Sequence, residues 1–75
     1  MSEEIILDVR NLLCPLPVIR LQDRIKITEV GASIRVMCTD PGVKHDIPAW
    51  CRIHGHEVVT MNEQDREIHF VVRVN

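Results

Sequence analysis

The residue with the clearest chemical potential is Cys14, which opens the segment Cys14-Pro15-Leu16-Pro17. A thiolate, not a thiol, is nucleophilic, and an ordinary cysteine is mostly protonated at neutral pH. The segment predicts the start of a helix, because prolines are tolerated in a first turn whose N–H groups have no intrahelical partner. A helix N-terminus carries partial positive charge, so the sequence predicts a lowered pKa and a reactive thiol at Cys14.

Residues around Cys14 are expected to support this chemistry. Pro15 and Pro17 stiffen the turn and fix the direction of the thiol. Arg10 adds positive charge nearby, and Asp8 is expected to orient Arg10 or to cap a backbone amide. Neighbouring leucines are expected to surround the thiol with apolar surface on which a partner can dock: Leu12, Leu13 and Leu16.

The other two cysteines, Cys38 and Cys51, are predicted to be buried structural thiols, because each falls on the apolar face of an element. Burial is also the alternative for Cys14, but a strand–helix junction favours reactivity. The chain has three cysteines and no Cys-x-x-Cys pair, so a persulfide or mixed disulfide suits it better than dithiol cycling. The spacing of cysteines and histidines does not predict zinc, so neither a metal nor a cofactor is expected.

The elements that must position these residues follow the order β-α-β-α-β-β. Apolar and alternating runs predict strands over 5–9, 32–38, 57–61 and 66–74, with a turn at 62–65. One helix opens at Cys14 and ends before Gly31. A second starts at Asp40-Pro41, read as a capping carboxylate and a first-turn proline, and stops at Gly55. Trp50 and His54 are predicted on its inner face.

This order predicts an α/β (α+β) fold. Strands joined through helices tend to run parallel, whereas the final hairpin is antiparallel. We therefore expect a single domain over residues 1–75, a two-layer sandwich with a mixed four-stranded sheet and both helices on one face. Pro48 lies inside the second helix pattern, where it kinks the helix, or the helix breaks near Asp46.

Composition excludes several classes of function. The net charge of −2 and the two aromatic residues argue against direct nucleic-acid binding. No signal peptide or membrane-spanning run is expected, and an odd number of cysteines suits the reducing cytoplasm. A small monomer is the expected state.

Two segments resemble TusA/SirA-type sulfur carrier proteins, namely Asp8-Val9-Arg10 and the Cys-Pro-x-Pro motif at Cys14. The resemblance covers about Leu7 to Val72 and continues through Asp40-Pro41, Asp46-Ile47-Pro48, Trp50-Cys51 and His56-Glu57. It implies the two-layer sandwich and a sulfurtransferase. In this family the cysteine matching Cys14 accepts sulfane sulfur as a persulfide from a cysteine desulfurase or rhodanese-like donor, and passes it to an acceptor such as a DsrE-like protein.

The destinations that the resemblance implies are tRNA thiolation, sulfur oxidation and molybdenum-cofactor assembly. The chain departs from the family at Asn11, where glycine is usual, although asparagine also tolerates a left-handed backbone. It departs again at Leu16, where the tRNA-thiolation carrier has an acidic residue, which leaves the pathway open. The alternative functions are a non-enzymatic regulatory or protein-binding module, and a redox sensor that pairs Cys14 with Cys38 or Cys51.

Overall fold

Four strands and two helices make up the part of the chain that the computed structural model describes, residues 4–75. In chain order they are β1 (Glu4–Asp8), α1 (Leu16–Lys26), β2 (Ser33–Cys38), α2 (Val43–His54), β3 (Glu57–Gln64) and β4 (Glu67–Arg73). The predicted order β-α-β-α-β-β is confirmed. Neither helix within residues 4–75 has the length and apolar character needed to cross a membrane.

The four strands form one mixed sheet in the order β1-β2-β4-β3. β1 runs parallel to β2, with Ile5 opposite Ile34. β4 is antiparallel to both of its neighbours, and Phe70 lies opposite Val36 on one side and Met61 on the other. The parallel pair comes from the crossover through α1, and the antiparallel pair β3–β4 from a direct hairpin, as predicted.

The core lies between one face of the sheet and both helices. Alternate residues of β2 and β4 are buried there, which is the period expected of a half-buried strand. The helices add buried residues to the same cluster, so both pack on one face and the sandwich has two layers. The shared core comprises Val9, Leu21, Ile34, Val36, Cys38, Val43, Ile47, Cys51, Ile68, Phe70, Val72 and Val74.

The helix boundaries differ from the predicted ones at both starts. α1 begins at Leu16, with Pro15 at the N-cap position, so Cys14 lies just before the helix. α2 begins at Val43 with Gly42 at its N-cap and no capping side chain. The predicted cap by Asp40 is therefore wrong, because its carboxylate accepts a hydrogen bond from the backbone of Cys14 instead.

Helix α2 continues through Pro48, so the predicted alternative of a break near Asp46 is wrong. It ends at Gly55, whose φ of 80° is the left-handed conformation that glycine adopts without strain. His54 is exposed, so its predicted place on the inner face is wrong. Its ring lies against that of the half-buried Trp50, with centroids 4.6 Å apart.

The β3–β4 hairpin is longer than the sequence predicts. Strand β3 extends to Gln64, since Asn62 pairs with His69 and Glu63 with Ile68. The turn is Asp65-Arg66, with φ values of 53° and 68°. Two positive φ values are typical of the type I′ turn, whose twist matches that of the flanking strands.

Replacing Arg66 by glycine is expected to raise the free energy of unfolding by about 0.5–1 kcal/mol. The left-handed conformation costs an L-residue about 1–2 kcal/mol, and the larger chain entropy of glycine offsets part of the gain. Urea unfolding measures the change. Arg66→Ala is the control, because it removes the same side chain without relieving the backbone. A glycine variant no more stable than the alanine variant would contradict the prediction.

Candidate functional site

The loop between β1 and α1 is held against the end of β2. Val9 is buried, and its N–H donates to the carbonyl of Met37 at 2.9 Å. Asn11 has a φ of 67°, the left-handed conformation expected from its side chain, and its N–H donates to Thr39 Oγ1 at 2.8 Å. These bonds fix the path of the chain toward Cys14.

Cys14 is exposed and lies against the start of α2. Its backbone N–H donates to Asp40 Oδ2 at 2.9 Å, and its thiol donates to Asp46 Oδ2. Gly42 lies among these groups, because a Cβ added there would be 3.7 Å from the Cβ of Cys14 and 3.3 Å from Asp40 Oδ2. The site therefore joins the segment just before α1 to the segment that leads into α2 and to the first turn of that helix.

The electrostatics of this contact overturn one prediction. The pKa of the Cys14 thiol is raised, chiefly because the thiol donates a hydrogen bond to Asp46. Desolvation and the negative charges of Asp46 and Asp40 raise the pKa further. The predicted lowering of the pKa by the helix start is thus wrong, since that prediction left out both carboxylates.

Asp40 and Asp46 are the site residues that sequence reasoning missed. The sequence predicts Asp40 as a helix cap, and it marks Asp46 only as the place near which the second helix could break. The available clue was topological, because carboxyl ends of parallel strands meet at one edge of a sheet. β1 and β2 are parallel, so the segments that follow them bring Cys14 beside Asp40 and Asp46.

Arg10 is bound to two carboxylates. Its Nε and Nη2 each donate to Asp8 at 2.9 Å, and Nη1 donates to Glu67 at 3.2 Å. The predicted orientation of Arg10 by Asp8 is observed. The expected effect of the Arg10 charge on the Cys14 thiol is not observed, because the guanidinium pairs with Asp8 and Glu67. This cluster links the loop after β1 to the start of β4.

The Asp8 carboxyl is expected to titrate well below its ordinary pKa. The side-chain hydrogen bond from Arg10, and then the bond from the Arg10 backbone, lower the pKa of Asp8 from 3.8 to about 2. The pair is therefore fully formed above about pH 4 and is lost as the pH falls through about 2. Carboxyl chemical shifts in an NMR titration measure this directly.

The matched variants for this titration are Arg10→Gln and Glu67→Gln. The first should return the pKa of Asp8 toward 3.8. The second leaves the Arg10–Asp8 bonds in place, so the pKa of Asp8 should stay low. An Asp8 that titrates at its ordinary pKa in the unaltered protein would contradict the prediction.

An apolar surface adjoins the thiol. Leu13 is 72% exposed and Leu16 is 42% exposed, and both are close in sequence to Cys14. Leu12 instead packs against the core, so only two of the three leucines form the predicted surface. Pro15 is exposed, whereas Pro17 is buried and anchors the first turn of α1.

Cys38 and Cys51 are buried, which confirms the prediction of structural thiols. Desolvation raises the pKa of Cys38 to about 12, with the charge of Asp40 adding to it, and the pKa of Cys51 to about 11. Neither thiol is available to a partner protein. Across residues 4–75, no group of three or more His, Cys, Asp or Glu side chains is placed to hold a metal ion.

Comparison with known proteins gives one family. The family described as "Sulfurtransferase TusA" matches residues 5–74. A "Sulfur carrier protein TusA" of Pseudomonas aeruginosa is 38% identical over 63 residues, covering 84% of this chain and 80% of that protein. The "Putative sulfur carrier protein YrkI" of Bacillus subtilis is 29% identical over 73 residues, which is 97% of each chain.

A solved structure supports the fold. The crystal structure of a SirA-like protein from Desulfitobacterium hafniense superposes with a TM-score of 0.81. It covers 92% of this chain and 95% of the other, at 21% sequence identity. The two-layer arrangement of a mixed sheet and two helices is therefore shared with a protein of distant sequence.

Proposed function

Because the chain belongs to the TusA family of sulfurtransferases and has the role of a sulfur carrier, we propose that Cys14 is the residue that carries the sulfur. The observation that supports this most is exposure. The chain has three cysteines, and Cys14 is the one whose thiol is open to another protein. Cys38 and Cys51 are enclosed in the core.

The proposed reaction has two transfers, each between proteins. The sulfur of Cys14 forms a bond to the outer sulfur of a donor persulfide, and the donor cysteine leaves as a thiolate. The Cys14 persulfide then gives its outer sulfur to an acceptor thiolate. In this sense the chain acts as an enzyme, a sulfurtransferase that works only with partner proteins.

The proposed partners follow from this chemistry and from the resemblance. The donor is a cysteine desulfurase or a rhodanese-like protein, and the acceptor is a thiol protein of the DsrE type. The exposed side chains of Leu13 and Leu16 form the docking surface beside the thiol. We place the protein in the cytoplasm, as one carrier domain over residues 1–75, because three free thiols suit a reducing compartment.

The supporting residues have proposed roles as well. Asp8, Arg10 and Glu67 hold the loop that leads to Cys14, through the bonds described above. Pro15 forms the turn between Cys14 and α1, and the buried Pro17 anchors the first turn of α1. These residues are proposed to position the sulfur.

Intact-protein mass spectrometry under non-reducing conditions tests the function. The protein is incubated with a cysteine desulfurase and cysteine, and in parallel with thiosulfate and a rhodanese. We expect a gain of one sulfur atom that maps to Cys14 and is lost on reduction. A Cys14 that stays unmodified with both donors would contradict sulfur carriage by this residue and favour a protein-binding module.

A further inference from the structure

We propose that Asp46 is a catalytic residue of the sulfur transfer, whose carboxylate takes the thiol proton of Cys14 when sulfur is loaded and returns it when sulfur leaves. This inference rests on the proposed function of Cys14. It goes beyond that function by assigning the proton of the reacting sulfur to a named group on the other helix.

The geometry places the carboxylate on the reacting atom itself. Asp46 Oδ2 accepts the hydrogen bond of the Cys14 thiol, and it is the only side chain within residues 4–75 hydrogen-bonded to that sulfur. Asp40, the second carboxylate, accepts the backbone N–H of Cys14 at 2.9 Å and so holds the main chain. The two aspartates therefore have different tasks, one at the backbone and one at the sulfur.

A structural role in α2 does not account for this contact. An acidic residue in the first turn stabilises a helix through its charge and needs no hydrogen bond to a distant residue to do so. Asp46 instead reaches a residue 32 positions away in sequence, and it makes no ion pair within the described part of the chain. Its charge is thus directed at the thiol without a cation to neutralise it.

The resting thiol also requires a proton acceptor. Asp46 and Asp40 are the charged groups that act on Cys14, and both are acidic, so they favour the protonated sulfur. Loading forms a bond at this sulfur and must therefore remove its proton. An acceptor already hydrogen-bonded to the sulfur meets the geometric requirement for a general base.

Loading moves one proton to Asp46 and one sulfur atom to Cys14. The S–H bond of Cys14 breaks and its proton moves to the Asp46 carboxylate, while Sγ forms a bond to the outer sulfur of the donor persulfide. The S–S bond of the donor breaks, and its electron pair leaves on the donor cysteine as a thiolate. The products are the Cys14 persulfide, protonated Asp46 and the donor thiolate.

Unloading reverses the proton movement. An acceptor thiolate attacks the outer sulfur of the Cys14 persulfide, and the S–S bond to Cys14 breaks. The proton on Asp46 then moves to the departing Cys14 sulfur. A leaving thiolate departs faster when its charge is neutralised, which is the task of a general acid. The cycle ends with the thiol and carboxylate as they began.

Two rates measured on Asp46→Asn test the proposal. The first is alkylation of Cys14 by iodoacetamide across the pH range, which reports the thiolate. The second is single-turnover sulfur loading from a persulfidated cysteine desulfurase. Loss of the carboxylate should lower the pKa of Cys14 and speed alkylation at pH 7. It should also slow loading, by at least about tenfold if general-base assistance is lost.

The alkylation rate should rise in Asp46→Asn while the loading rate falls, and this difference separates proton transfer from an effect of charge alone. If Asp46 acted only through its charge, both rates would rise in Asp46→Asn. Faster or unchanged loading in this variant therefore overturns the proposal. Glu29→Gln is the control, because it removes one exposed charge from the segment between α1 and β2, and it should change neither rate.

Asp46→Glu keeps a carboxylate, and it tests whether slow loading in Asp46→Asn results from a folding defect. Thermal unfolding of each variant shows that it is folded. The glutamate variant should load faster than the asparagine variant, and a folded glutamate variant as slow as asparagine also overturns the proposal. Absence of loading in the unaltered protein would instead overturn the proposed function, and this inference with it.

Discussion

Replacing Cys14 by serine is expected to abolish sulfur loading while leaving the fold intact. A hydroxyl at neutral pH does not attack a persulfide, and it cannot hold the transferred sulfur as an S–S bond. The fold should tolerate the change, because the side chain is exposed and a serine hydroxyl can donate the same hydrogen bond to Asp46. Mass spectrometry after incubation with the donor measures the loading, and thermal unfolding measures the fold.

Cys51→Ala is the control for this variant. Cys51 is buried, and its thiol is far from the ionised form under the same conditions because burial raises its pKa to about 11. Its removal should leave loading in place, at some cost in stability from the lost packing. A Cys14→Ser protein that still gains a sulfur atom would mean that another cysteine carries it.

Replacing Phe70 by alanine is expected to lower the free energy of unfolding by about 3–5 kcal/mol. Phe70 is completely buried in β4, the strand between β2 and β3. Truncation of a buried phenylalanine costs about 3–5 kcal/mol, because the cavity collapses only in part. A domain of 75 residues has a total stability of about 4–11 kcal/mol. The loss is therefore a large part of the total, and the variant should unfold at a much lower urea concentration than the unaltered protein.

Met61→Ala is the matched control for Phe70→Ala. Met61 lies opposite Phe70 in the β3–β4 ladder but is 48% exposed. Its truncation removes a contact of the same strand pair without opening the core, so the loss of stability should be much smaller. Urea unfolding of both variants provides the comparison. Equal losses would mean that the packing around Phe70 is not what holds the sheet together.

The sequence predicts the elements whose local pattern and final environment agree. Ile34 and Val36 alternate with polar residues and are buried in β2, as their spacing indicates. The sequence predicts the hairpin turn too early, at 62–65. The observed turn, Asp65-Arg66, requires two positive φ values but contains no glycine that would mark it. Strand pairing overrides the local preference there, and a single sequence carries no sign of it.

The candidate site could likewise be predicted from the sequence only in part. Cys14 is predictable, since a cysteine beside two prolines at a strand–helix junction has few structural explanations. The raised pKa of its thiol could not be predicted, because it depends on Asp46, which is 32 residues away in sequence. Such a contact follows only from the parallel pairing of β1 and β2. The local sequence predicts Asp40 as a helix cap, but its carboxylate accepts a hydrogen bond from the backbone of Cys14 instead.

The position of β4 also constrains when a newly made chain can act. β4 follows every other strand in sequence, yet it lies between β2 and β3 in the sheet. Such non-local pairing cannot form during synthesis until residues 67–73 have left the ribosome. Cys14 emerges much earlier, before the carboxylate that accepts its thiol hydrogen bond is in place. The nascent chain therefore presents Cys14 before the four-stranded sheet that supports the site is complete.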